Sequence, residues 1–247
     1  MAGHSHAKNV MFRKGKANKE RSKLFSKLAR EIIVASKMGL PDPDHNARLR
    51  AAVNAAKAQS MPKDNIERAI KKGQGGDAEN YDEVRYEGYG PGGVAILVET
   101  ATDNRNRTAA EVRSILTKAG GQLAGSGSVA WQFEQRGVIT LARGGDADEL
   151  ALLAIDAGAD DVDSLGEQVE VYTRPAELEA VRRSLEAAGV KIESAELSMT
   201  AKNTLELDEA KARQALRLVE LLEDQDDVQR VTANFEIPEA MLAEVGG

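Results

Sequence analysis

Lysine and arginine are the residues of this 247-residue chain whose number and spacing suggest a chemistry, and that chemistry is the binding of phosphate. Residues 1–72 carry 17 Lys+Arg against 6 Asp+Glu, while the other 175 carry 16 against 34. The formal charge of −7 hides this division. A cationic head on an anionic body suits a polyanion, because a merely solvated surface has no need to sort its charges. Lys8, Arg13, Lys14 and Lys16 stand in an irregular arm without acidic company. After them, Lys19, Lys23, Lys27, Arg30 and Lys37 recur so that a helix gathers them into a wedge of roughly 80°, running about 27 Å. Several phosphate contacts of this kind make binding fall steeply with salt.

Two further stretches carry candidate binding residues. Lys63–Lys72 follows a helix and a turn, a layout that invites a major-groove reading through Lys63, Asn65, Arg68, Lys71 and Lys72. Asp64 stands four residues before Arg68, and Glu67 four before Lys71, so this helix is expected to neutralise itself in part. Thr102-Asp103-Asn104-Arg105-Asn106-Arg107-Thr108 lies between a strand and a helix. Asp103 or Asn104 there can cap the helix, and Arg105 and Arg107 can hold phosphate at its N-terminus; the two readings weigh evenly.

Enzyme motifs are missing: no G-x-S-x-G, no H-E-x-x-H and no phosphate-binding G-x-x-x-x-G-K-[ST]. The glycines of Gly88–Gly93 sit between two strands with no following Lys, so they read as a hairpin. Without cysteine there is no disulfide, thiolate zinc site or cysteine nucleophile, which suits a reducing compartment. His4, His6 and His45 have no recognisable catalytic partner by spacing. If Met1 is removed, Ala2-Gly3-His4 has the donors for a square-planar Cu(II) or Ni(II) complex, but a tail makes this by accident, and we expect no cofactor or structural metal. No apolar run is long enough to span a bilayer, and the N-terminus lacks the apolar core of a secretory signal. Its basic, acid-free start also fits a mitochondrial transit peptide. Without a secretory route, Asn106-Arg107-Thr108 is not a glycosylation site.

The elements that must position these residues follow from periodicity. Three helices are predicted, over about 18–38, 46–59 and 63–72. Leu24, Leu28, Ile32 and Ala35 form the buried stripe of the first, and Gly73 stops the third. In the body, strands are expected at 84–89, 94–100 and 128–134, with a helix at 106–119 ended by Gly120-Gly121. The order strand 138–141, helix 146–157, strands 161–165 and 168–173, helix 175–188 and strand 190–197 is the ferredoxin-like β-α-β-β-α-β motif. A half-motif at 204–237 completes the one at 94–134. The expected class is α+β: a three-helix bundle followed by two ferredoxin-like domains, one inserted in the other. The boundaries are 1–76 for arm and head, 77–135 plus 200–247 for the outer domain, and 136–199 for the inserted acidic one. Three consecutive domains are the alternative, although a last fragment of about 45 residues is marginal alone.

Met1-Ala2-Gly3-His4-Ser5, Arg13-Lys14-Gly15, Met61-Pro62-Lys63-Asp64-Asn65-Ile66-Glu67-Arg68-Ala69-Ile70-Lys71-Lys72-Gly73, Arg85-Tyr86-Glu87-Gly88-Tyr89-Gly90-Pro91-Gly92-Gly93 and the 102–108 stretch resemble the YebC/PmpR family across essentially the whole chain. The arm departs from the family pattern: His6-Ala7 stands where a Lys-Trp pair is common, and Phe12 where His is usual. The resemblance implies a helical head with two α+β domains and a cytoplasmic bacterial protein. It begins at Ala2, which leaves no room for a transit peptide. Family members are described as DNA-binding transcriptional regulators. Relatives, including a mitochondrial translational activator, act with the ribosome, some relieving stalling at proline-rich stretches, and no enzymatic activity is known. The resemblance therefore implies DNA as the partner, with ribosomal RNA the alternative, and no membrane.

Residues 146–170 hold nine acids and no base: Asp146, Asp148, Glu149, Asp156, Asp160, Asp161, Asp163, Glu167 and Glu170. Phosphate repels such a lobe, so it is expected to point away from nucleic acid or to meet a basic protein. Charge reversal of several of these acids should raise non-specific DNA retention in a gel-shift assay; unchanged retention would remove the orienting role.

Overall fold

Helix α1 (Arg21–Met38) buries Ile32, Ile33, Val34 and Ala35 in succession, and this sets its place in a bundle with α2 (Ala47–Ala58) and α3 (Lys63–Gln74). The structure, a computed structural model, describes residues 21–75, 81–142, 146–164, 169–238 and 241, and of Arg21 the backbone only. Leu49, Ala52, Val53, Ala56, Met61, Ile66 and Ala69 complete the head's core, with Phe25, Leu28, Ala29 and Ile70 packed against it. Burying each large aliphatic side chain here is worth about 1.5–3 kcal/mol. Asn46 joins two helices. Its Oδ1 accepts from Leu49 N at 3.0 Å as the N-cap of α2, while its amide donates to Ala35 O at 2.9 Å and Leu40 O at 2.8 Å.

Strands β1 (Asp82–Tyr89) and β2 (Ala95–Thr102) form an antiparallel hairpin. Gly90 N donates to Val94 O at 2.7 Å across the connection, and Gly92 takes φ 76° within it. Helix α4 (Arg105–Lys118) follows. It ends where Gly120 adopts φ 80° and Gly121 N donates to Leu116 O at 2.8 Å, the reciprocal closure that left-handed glycine permits. Strand β3 (Gln122–Ala124) then pairs with β1.

The second sheet is built from β4 (Phe133–Leu141), α5 (Ala147–Asp156), β5 (Asp161–Asp163), β6 (Val169–Thr173), α6 (Leu178–Ala187) and β7 (Ile192–Ala201). Its order, β5-β6-β4-β7 with every pair antiparallel, is the ferredoxin-like split motif. Ile139, Leu141, Val169 and Val171 of the sheet pack with Ala154, Leu178, Val181 and Leu185 of the helices. The short β8 (Leu205–Glu206), α7 (Glu209–Glu223), β9 (Val228–Ala233) and β10 (Phe235–Glu236) close the chain. The described residues fall into two compact units, one reaching to Val129 and including Arg213–Ala233, the other holding Ala130–Ala212 and the stretch from Asn234.

The class is α+β as expected, with a helical head and two four-stranded antiparallel sheets, but several elements differ. The first sheet runs β3-β1-β2-β9. This is the same ferredoxin-like order with β1, from the front of the chain, in the place assigned to 204–207; β8 pairs with β10 instead. The strand expected over 128–134 is a turn up to Gln132, followed by the single long β4. The cause is Glu87, whose buried carboxylate accepts from Gly127 N at 2.6 Å and Val129 N at 2.7 Å and so withdraws those donors from a ladder. Gly73 does not stop α3 but lies inside it, where a Cβ would meet Ile33 O of α1 at 2.6 Å. Leu24, expected in the buried stripe, is 37% exposed.

A Cβ on Gly121 would collide with the Tyr89 carbonyl, and its nearest other neighbour would be Gly90 Cα at 3.2 Å. Gly121→Ala should therefore lower unfolding free energy by about 1–3 kcal/mol in urea titration. Gly75→Ala, with nothing within 4 Å, should stay within about 0.5 kcal/mol of the parent.

Candidate nucleic-acid interface

The basic face of α1 is not open along its length. Lys23 Nζ donates to Asp224 O at 3.3 Å, Lys27 Nζ to Glu223 O, and Arg30 to Asp226 O. Arg30 also lies 3.5 Å from Asp227 Oδ1 and 4.9 Å from the centre of the Tyr81 ring. The acceptors belong to the C-terminal end of α7 and the loop that leads into β9. Four acids at a helix C-terminus oppose its dipole, and the carbonyls there lack helical partners, so three cations satisfy both demands. Burial lowers the Lys27 pKa, and the charges of Glu223, Asp226 and Asp224 act against that shift.

The remaining candidates divide into three groups. Lys8, Arg13, Lys14, Lys16 and Lys19 lie outside the described residues. Lys37, Lys63, Arg68, Lys71 and Lys72 are exposed on the head, as is Lys57, which the periodicity did not single out. Along α3 the expected pairing takes another form. Lys63 meets Glu67 at 3.5 Å, while Arg68 donates to Asn65 Oδ1 and, at 3.2 Å, to the Asp64 carbonyl. Asn65 and Arg68, two of the side chains of α3 able to make paired hydrogen bonds to a base edge, are thus tied to each other.

The 102–108 stretch is a structural corner. Asn104 caps α4 by accepting from Arg107 N at 3.1 Å, and Thr102 Oγ1 accepts from Asn104 N at 2.9 Å. Arg105 pairs with Asp82 at 2.8 Å. Arg107 bridges Asp103 at 2.6 Å and Asp227 at 2.8 Å. Both arginines keep exposed guanidinium surface, so the corner holds cations at its rim while spending part of their charge internally.

Asp227 is the residue that sequence reasoning missed. Its side chain is 4% exposed. Oδ2 accepts from Thr108 Oγ1 at 2.6 Å, Arg107 at 2.8 Å and Thr102 Oγ1 at 3.1 Å, while its main-chain carbonyl accepts from Ala101 N at 2.9 Å. Burial pushes its pKa up, but the bonds from Arg107 and Thr108 outweigh that and hold the carboxyl below the usual range. The only sequence signal was an acidic run at a helix end, which looks solvated until its cations are found. Arg48 was also missed; it bonds Glu31 at 2.9 Å and grips both oxygens of Glu83, linking α1, α2 and β1.

The tyrosines of the hairpin are engaged: Tyr86 donates to Arg105 O and Tyr89 to Ser128 O, each at 3.1 Å. His45 has a partner after all, Asp42 at 2.9 Å, within an exposed turn. Among the described residues no group of three His, Asp or Glu is arranged to hold a metal, and no helix is long and apolar enough to cross a membrane.

Comparison with known proteins matches two adjoining parts of the chain. Residues 5–76 fit the family model described as the TACO1/YebC protein N-terminal domain. Residues 81–235 fit Transcrip_reg, described as the TACO1/YebC second and third domain. Among solved structures, a conserved hypothetical protein, Aq1575 from Aquifex aeolicus, is similar at 49% identity and a TM-score of 0.85, over 91% of this chain and 93% of that one.

Asp227→Asn removes a buried charge from four donors and should cost about 2–4 kcal/mol at neutral pH. Because the folded pKa is depressed, the native contribution is complete above the ordinary carboxylate value of about 3.9 and is lost as pH falls through the lower folded value. Urea titrations at pH 7, 5 and 3 should show the gap between native and variant hold at the first two and narrow at the third.

Proposed function

The chain belongs to the TACO1/YebC family, a family named for transcriptional regulation, and from that premise we propose that it is a cytoplasmic, non-enzymatic, nucleic-acid-binding regulator of gene expression. The observation that carries this reading is the confinement of 17 Lys+Arg and only 6 Asp+Glu to residues 1–72, most of which form a bundle with its own core. A small folded unit with excess positive charge can serve as an electrostatic gripping device. Lys37, Lys57, Lys63, Lys71 and Lys72 present its cations to solvent. Duplex DNA is the first target by family name.

Ribosomal RNA is the second target, favoured by one observation. The bond between Asn65 and Arg68 engages two of the side chains that could read base edges, which suits α3 more to phosphates and shape than to sequence. The acid-rich lobe supports a basic protein as a further partner. On α5, Leu152 and Ile155 are 65% and 57% exposed beside Asp148, Glu149 and Asp156, an apolar pair rimmed by carboxylates.

Sedimentation of a cell lysate through a sucrose gradient separates the two targets. Nuclease-sensitive co-migration with ribosomal particles assigns the RNA role, and absence from them with promoter footprints assigns the DNA role. In either case Lys71→Ala with Lys72→Ala should weaken binding and flatten the plot of log K against log salt by about 2 units, with an unchanged melting temperature. A slope that does not move would place the phosphate contacts elsewhere.

A further inference from the structure

We infer that Lys23, Lys27 and Arg30 form a phosphodiester-binding site whose occupant in the isolated chain is its own Glu223–Asp227 loop, so that nucleic acid and loop compete for one face of α1. This deepens the regulator reading above and rests on it. All three cations point at one short segment about 200 residues away in sequence, and each is met by a main-chain carbonyl: Glu223, Asp224 and Asp226. The segment is as anionic as a strand of nucleic acid is: Glu223, Asp224, Asp226 and Asp227 within five residues.

The geometry suits an exchange. Residues 23 to 30 of a helix span about 10 Å along its axis. One nucleic-acid strand carries a charge about every 3.4 Å of duplex, so about three phosphates cover the same length. Asp224 and Asp226 are exposed, as is the Lys23 side chain, and the contacts they make lie at the rim where a competing polyanion can enter. The contacts to Glu223, Asp224 and Asp226 use main-chain oxygen, which carries a partial charge. A phosphate oxygen with a larger share of charge makes the stronger bond to the same ammonium or guanidinium group. Asp227 is the exception, and it remains held from its other side by Thr102, Thr108 and Arg107 when Arg30 leaves. The loop therefore keeps its shape while it surrenders the cations.

The absence of cysteine makes the competition directly testable in the full chain. Ser26→Cys with Asp224→Cys places two thiols on exposed positions of the facing segments and leaves Lys23, Lys27 and Arg30 intact. One sample is joined by a short bismaleimide, and a second is capped at both thiols with N-ethylmaleimide. Binding of each to a short duplex DNA and to an RNA hairpin is followed by fluorescence anisotropy over a range of salt. The capped protein should bind at least tenfold more tightly than the joined one. Its salt slope should be steeper by about 2–3 units on duplex DNA, the share of three phosphate contacts. The two arms show which nucleic acid displaces the loop. Equal affinity and equal slope in joined and capped protein would overturn the competition and leave the three cations as a helix cap. Failure of every form, wild type included, to bind either probe would overturn the regulator reading as well.

Discussion

The buried carboxylate of Asp227 is the constraint around which the first unit is assembled. An ionised group at that depth costs several kcal/mol unless it is paired and fully hydrogen-bonded. Thr102 ends β2, Arg107 and Thr108 open α4, and Arg30 comes from α1, so the donors that offset this cost come from three different elements. Each is positioned by something else: Thr102 by the hairpin ladder, Arg107 and Thr108 by the Asn104 cap, Arg30 by the packing of Ile32 and Ile33. The result is mutual: the sheet fixes the corner, the corner fixes the carboxylate, and the carboxylate holds the head's helix against the start of β9.

That arrangement explains why a helix ends in acids at all. The C-terminus of α7 already carries a partial negative charge, and Glu223, Asp224, Asp226 and Asp227 add to it. Alone, such an end repels itself. Opposite Lys23, Lys27 and Arg30 it becomes an acceptor array, and the charges of Glu223, Asp226 and Asp224 offset part of the cost of desolvating Lys27. The same cations that look from composition like a phosphate stripe are thus structural when the loop is present. Charge sorting along a chain measures potential partners, and the first partner a cationic helix meets can be its own body.

What was legible in the sequence was local. A cap at Asp103 or Asn104, the closure at Gly120-Gly121, the Gly90–Gly93 hairpin and the β-α-β-β-α-β run are signalled within a few residues, because turn chemistry and periodicity are short-range signals; which of the two residues caps was settled only by the structure. The misses share the opposite property. Gly73 sits in a helix because α1 approaches to within one Cβ of it, which α3 alone does not reveal. The 128–134 stretch has strand-like residues, yet Glu87, some 40 residues earlier, takes its donors. β8 is two residues long and carries no period, so nothing local said that β1 would occupy the central place in its sheet. The site followed the same rule: cationic residues were readable, and which of them were already engaged was not.

The distribution of buried and exposed cations bears on how such a head would meet nucleic acid under the proposed function. Base readout in a major groove favours side chains that present two hydrogen bonds in a fixed plane, and two of those on α3, Arg68 and Asn65, bond each other. The cations left at the surface are chiefly lysines, which meet phosphate as point charges and carry no sequence information. Under the proposed function, selectivity would draw chiefly on the spacing and curvature of phosphates, a property of nucleic-acid shape. Exposed cations stand on α1, α2 and α3 alike, an arrangement that would suit the phosphates of a folded RNA or a bent duplex better than those of a straight groove. Under the proposed function the acidic stretch at 146–170, nine acids without a base, would itself repel phosphate and so leave binding to the head.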